Sequence, residues 1–264
     1  MNLMLRELKS LRKSLILWSI GIVAMVVASM SKYAGMTESG GAMNELMASM
    51  PKAMKAIMGV GELDIATIAG YYGMVFLYLL IMAAVHASMM GANIVAKEER
   101  DRTSEFLLVK PISRSRTLTY KLLAAGVNLV LFNAVTLISS LLSVGAFEGG
   151  REAYGDIVIL MVGLLFVQLL FTGVGAAIAA WGKSPRRAVS ISAGVMLLTF
   201  MLSVAVDMSE DLSLLKWFTP FQYFSASSVL KEGLHGGYAG LSLLIFAVSV
   251  ALAYYSYNKR DISV

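Results

Sequence analysis

The sequence predicts an all-α membrane protein with six transmembrane helices, and three observations carry that prediction. Of the 264 residues, 58% are hydrophobic and only 15% charged, with a mean hydropathy of +0.73. A soluble domain holds about 45–50% apolar and ~25% charged residues. Six runs are long and apolar enough to cross ~30 Å of hydrocarbon, which takes about 20 helical residues. No stretch alternates polar with apolar over the ~10 residues of a barrel strand, and hydrocarbon leaves the backbone no water to bond, so the spans must be helices. The same composition excludes a disordered chain, and four prolines exclude a Pro-rich scaffold. With no cysteine, disulfides and thiolate metal sites are excluded.

The spans are read as Leu15–Met30, Tyr71–Val95, Thr117–Phe147, Asp156–Trp181, Ala188–Val206 and Tyr238–Tyr257. Ahead of the first, Leu8, Leu11 and Leu15 recur at helical spacing beside Arg6, Lys9, Arg12 and Lys13. This pattern predicts an amphipathic interfacial helix reaching anionic lipid headgroups. Small residues near Ala28–Ser31 resemble a signal-peptide cleavage site, but five spans follow, so the first helix is read as retained. Sixteen of the 22 Lys and Arg residues fall on one side of this topology, the side of both termini. The charge bias therefore places both termini in the cytoplasm of a multi-pass plasma-membrane protein. The net charge of +5 becomes a topology signal, with membrane lipid and not nucleic acid as the implied contact. No loop is long enough for a second domain, so residues 1–264 read as one membrane domain.

Little in the chain supports catalysis. Gly182-Lys183-Ser184 imitates the end of a phosphate loop, but the position needing the first glycine is Ala177, inside a span with no preceding strand. Two histidines form no H-E-x-x-H pattern and no metal site is expected. Polar residues inside spans are costly and face another helix or a cavity. His86, Asn93, Asn128, Asn133 and Gln168 are therefore candidates for a substrate path, or for interhelical hydrogen bonds worth about 0.6 kcal/mol each. His86 with Asp207, at the end of the fifth span, offers an alternative: an ion- or proton-coupled secondary transporter. Gly145–Gly149 and the Gly173/Ala177 pair are spaced for close helix approach. Met43, Met47, Met50, Met54 and Met58 form one helical stripe, read as an amphipathic helix on the outer bundle ends more readily than as a Cu(I) site. Pro51 is expected to divide it.

The segment Lys97–Arg114 between spans two and three is the most informative. Asp101 or Thr103 is placed to cap a short helix, Glu105 favours its positive end, and Pro111 stops it at Lys110. Phe106, Leu107, Leu108 and Val109 then stand together between dense charges, where four apolar side chains need something to pack on.

Glu99–Arg114 resembles the cytoplasmic loop of type-2 ABC transporter permeases, in which an acidic–basic run leads into T-x-E, a leucine-rich turn and P-[IV]-S-R. Thr103-Ser104-Glu105, Leu107-Leu108 and Pro111-Ile112-Ser113-Arg114 match it, while Arg102 stands where the family usually has glycine. Trp217–Phe224 is similar to the family's Pro-Phe-x-Tyr-Phe segment before the last span. The resemblance implies an ATP-driven export permease in which two membrane subunits, copies or paralogues, pair and each docks a separate cytoplasmic ATPase. It implies a coupling element of Glu98, Glu99, Arg100, Thr103, Glu105, Phe106, Leu107, Leu108, Pro111 and Arg114. Lys183, Arg186 and Arg187 would form a second contact. The chain itself would be non-catalytic and hold no cofactor, with ATP and Mg2+ on the partner ATPase.

Overall fold

Hydrocarbon-compatible helices account for most of the chain in the computed structural model, which describes residues 3–37, 49–61, 63–101, 113–182 and 184–259. In chain order they are α1 (Leu3–Thr37), α2 (Lys52–Met58), α3 (Ile68–Arg100), α4 (Arg114–Val144), α5 (Tyr154–Trp181), α6 (Pro185–Met208), α7 (Pro220–Tyr223), α8 (Ala226–Glu232) and α9 (Gly236–Lys259). Gly150–Ala153 and Glu210–Phe218 are 3-10 turns, and no strand occurs among the described residues. Six of the helices, α1, α3, α4, α5, α6 and α9, are long and apolar enough to span a membrane.

Local chemistry explains where they start. The Thr67 hydroxyl accepts the Gly70 amide at 3.0 Å to open α3, and the Ser113 hydroxyl accepts that of Arg116 at 3.3 Å to open α4. Pro185 occupies the first turn of α6, where its missing N–H is not needed. Pro51 stands at the N-cap of α2. Of the Met stripe, Met43 and Met47 lie outside the described residues.

Most helices outrun the apolar runs that predicted them, because helical hydrogen bonding continues past the hydrocarbon edge. The extreme is α1, whose 35 residues make a rod ~52 Å long. Residues 3–14, expected as an interfacial helix, are therefore the first turns of the same rod that carries 15–30. In the other direction, α4 ends at Val144, three residues short of the expected Phe147. Gly145 caps it, so Gly145 and Gly149 lie in the turn before α5 and not on a helix face. Gly173 does meet a neighbouring helix, facing Phe246 and Ser249 of α9.

The bundle is built around the α3–α5 pair. In its most apolar window α5 is 61% buried and α3 56%, against 17% for α1 and for α9, which sets the last two at the periphery. The chain α9–α5–α3–α6 is one packed row, and α1 packs mainly on α4 beside it. Close approach at the centre depends on missing side chains. A Cβ built on Gly91 would stand 2.2 Å from the Thr172 carbonyl oxygen, and one on Gly175 2.4 Å from that of Ser88. Small residues and hydroxyl bonds replace the hydrophobic effect between helices in lipid. Accordingly the Ser192 hydroxyl of α6 donates to the Ser88 carbonyl of α3 at 3.0 Å, and Tyr72 of α3 to Ser140 of α4 at 2.7 Å.

Candidate functional site

Alternation of the spans brings the start of α1, the end of α3, the start of α4, the α5–α6 turn and the end of α9 to one end of the bundle. Arg6, Lys9, Arg12, Lys13, Lys97, Arg100, Arg114, Arg116, Lys121, Arg187 and Lys259 all belong to it. At this basic end α3 and α4 flank residues 102–112. That segment contains Thr103, Glu105, Phe106, Leu107, Leu108 and Pro111, and lies outside the described residues together with Lys183. The Arg186 side chain also lies outside them; Arg187 is exposed at the start of α6.

The two helices flanking the segment are joined by buried charge. Lys121, about two turns into α4, is fully buried, and its ammonium donates to the Glu98 carboxylate and, at 2.6 Å, to the Ile94 carbonyl of α3. Arg6 of α1 lies 3.7 Å from the other Glu98 oxygen. Glu7, also fully buried, takes one bond from Arg6 at 3.2 Å and another from the Lys97 ammonium. Lys97 extends to the Ser10 hydroxyl at 3.3 Å. Two acids and three cations from α1, α3 and α4 thus form one cluster. Breaking such a pair strands an uncompensated charge in a low-dielectric site, so the three helix ends are held in one register. On the other flank, the Arg114 guanidinium donates to the Asn258 carbonyl at 3.3 Å, and Ser115 and Asn258 side chains pair at 2.9 Å, joining α4 to α9.

Glu98, Glu99, Arg100 and Arg114 of the expected coupling element therefore sit at the roots of the segment. Arg100 bonds Asp101 at 3.1 Å and Asn93 at 2.5 Å, which places Asn93 in this polar end. Glu7, Lys97 and Lys121 were missed as site residues. The available signal was Lys121 itself, an ionisable group inside an apolar run, which demands a partner.

The remaining substrate-path candidates do not share one lining. His86 lies between the rings of Phe132, stacked at 4.7 Å, and Trp18, at 5.5 Å. Asn133 donates to the Met161 carbonyl of α5 at 3.0 Å, the interhelical bond its alternative reading expects. His86 Nδ1, Asn128 Oδ1 and both amide atoms of Gln168 are buried without a hydrogen-bond partner among the described residues. Asp207 is far along the fold from His86: Gln222 hydrogen-bonds it and Lys216 supplies the nearby charge, at the opposite end of α6. Because aromatic packing and not a polar partner holds His86, His86→Phe is expected to change stability by less than about 1.5 kcal/mol, as volume-conserving swaps do. Thermal melting of the purified chain in detergent measures it; a larger loss would mean that the imidazole makes a polar contact.

At that opposite end the aromatic segment Trp217–Phe224 is packed in its second half, while Trp217 and Phe218 are exposed. Phe221 meets the rings of Phe171 and Phe200, and Phe224 stacks on Phe166. Tyr223 stacks on Tyr238 at 5.1 Å while its hydroxyl donates to the Trp217 carbonyl. Burial, with Tyr238 beside it, pushes this hydroxyl up to about 12.

Comparison with protein families decides what this arrangement belongs to: residues 1–262 match the family model described as ABC-2 family transporter protein. The chain belongs to the ABC-2 transporter family. Its six apolar helices are those of a multi-pass ABC-2 permease. ABC-2 permeases are membrane subunits that work with an ABC ATPase and are not themselves the catalytic part. A search of curated proteins finds no match.

Proposed function

We propose that this ABC-2 chain is the membrane subunit of an ATP-driven exporter, pairing with a second permease, a copy or a paralogue, and docking a separate cytoplasmic ATPase on residues 98–114. ATP and Mg2+ belong to that ATPase. The Lys and Arg bias supports placing the basic end, and with it both termini, on the cytoplasmic side of the cell membrane.

The observation that carries this reading is the buried charge cluster at the root of the docking segment. An ATPase that closes on nucleotide can do work on the membrane only through an element that does not slip. The Glu98–Lys121 pair locks α3 to α4 where the segment leaves and re-enters the bundle, and the Glu7–Lys97 pair adds α1. A push on residues 102–112 is thereby shared by three helices. Through Gly91 and Gly175 it reaches α5, against which α3 has no room to slide sideways.

Phe106→Asp combined with Leu107→Asp tests the docking. The expected result is at least a tenfold loss of ATPase co-purification and of vanadate-sensitive transport, with the permease melting temperature unchanged. Retention of both in the double variant overturns the assignment of this segment as the ATPase contact.

A further inference from the structure

The charge bias that orients the chain leaves six Lys and Arg residues on the far side: Lys32, Lys52, Lys55, Arg151, Lys216 and Lys231. Four of the six, Lys52, Lys55, Lys216 and Lys231, line one cavity of about 650 Å3 at that end of the bundle. They come from α2, the 3-10 turn after α6, and α8, so chain proximity does not explain their convergence. A basic residue on the translocated side runs against the charge rule, and four gathered at one opening point to a function for the charge.

The rest of the lining says what the charge is for. Among the described lining residues Asp207 and Glu232 are the acids, giving four lysines against two carboxylates. Asp207 lies beside Lys216 and is hydrogen-bonded by Gln222, and Glu232 lies 3.5 Å from His235, so the excess of positive charge, not a set of unpaired lysines, marks the site. Beneath the lysines the wall turns apolar, through Phe76 and Leu80 of α3, Val206 of α6 and Phe221 of α7. Leu80 and Phe221 are buried, so this floor reaches into the bundle. The rim is shaped by Gly59, whose backbone turns with φ 70° after α2 and lies so close on Leu77 that a Cβ would stand 2.8 Å from it. A side chain there would lift α2 and its two lysines off the opening.

We infer that this cavity is a binding site for an anionic amphiphile, its phosphate, sulfate or carboxylate head held by Lys52, Lys55, Lys216 and Lys231 and its apolar body on Phe76, Leu80, Val206 and Phe221. Lysine ammonium groups are compact charges with rotatable donors, suited to a multi-oxygen anion approached from several sides. The volume lies within the ~300–1,000 Å3 of small-molecule pockets. The site is on the end of the bundle away from the ATPase segment and can be tested without any ATPase, so its failure leaves the permease reading standing, and the reverse.

The test uses the full-length chain purified in neutral detergent, with dodecyl phosphate as probe and binding read by thermal shift and by titration of tryptophan fluorescence. Saturable binding is expected. Lys216→Gln, Lys231→Gln and the double variant with both are expected to weaken it about fivefold per lysine, the effect of one lysine beside an anionic headgroup. Lys259→Gln, an equal loss of charge at the basic end, is expected to leave the affinity unchanged. These lysines are at the surface, and an unchanged melting temperature without ligand shows that the variants fold. Equal binding of dodecylphosphocholine, equal binding of inorganic phosphate, or a double variant that binds as the parent does would each overturn the site. Competition by nanodiscs containing phosphatidylglycerol, but not by phosphatidylcholine alone, identifies the amphiphile as a membrane lipid. Undiminished dodecyl phosphate binding in both nanodiscs identifies it as a free molecule of the same chemistry.

Discussion

Lys121→Ala is expected to destabilise the purified chain by about 3–5 kcal/mol, the loss that follows when one partner of a buried ion pair is removed. The lysine has no exposure, and its ammonium is bound on two sides, by the Glu98 carboxylate and the Ile94 carbonyl. Its removal leaves Glu98, whose side chain is 9% exposed, with Arg6 at 3.7 Å as its one cation among the described ion pairs. Lys121→Met with Glu98→Leu removes both charges and keeps most of the volume, so it should recover most of the loss; that recovery separates a broken pair from a simple cavity. Arg6→Ala, at a side chain 35% exposed, is expected to cost no more than about 1 kcal/mol. Chemical or thermal denaturation in detergent measures all three. If Lys121→Ala melts with the parent chain, the cluster does not hold α1, α3 and α4 together.

The contrast between Lys121 and the spans around it shows what the sequence could and could not convey. Six spans were legible because a run of ~20 apolar residues has one structural solution in hydrocarbon, whatever its neighbours do. The break at Pro51 was legible because it is local backbone chemistry. Lys121 inside an apolar run signalled a need for a partner, but a lysine near the end of a span can also bend its ammonium back to the interface, so the signal did not say which need is met. Its partners lie in other helices, and only packing selects which carboxylate it meets. The same holds for the aromatic neighbours of His86, residues far apart in sequence that meet only in the folded bundle. The six far-side Lys and Arg residues entered the sequence reading as a minority count. The grouping of four of them appears only when α2 and the 3-10 turn pack on α6 and α8 packs on α3. The resemblance carried by Thr103–Arg114 reached the family through a sequence motif, without reference to packing. Motif and fold therefore inform independently here.

The second large effect is expected at a residue with no chemistry at all. Gly91→Ala should destabilise the chain by about 3 kcal/mol, at the upper end of overpacking costs. The added methyl would stand 2.2 Å from the Thr172 carbonyl oxygen, with the Thr172 carbonyl carbon and Cα both at 2.9 Å. These are backbone atoms of α5, which cannot rotate away as a side chain could, so the two central helices must separate by more than an ångström. Separation would also stretch the Thr172 hydroxyl bond to the Ala87 carbonyl, already 3.4 Å long, and loosen the contact of Gly175 with Ser88. Gly126→Ala is the matched control: it is another helical glycine, in α4, with nothing within 4 Å of the added Cβ. There the change should be neutral or stabilising by about 0.5–1 kcal/mol, since alanine loses less backbone entropy in a helix than glycine. Melting of the two variants side by side measures the difference. If both shift alike, the α3–α5 contact is not the close-packed axis on which the bundle is built.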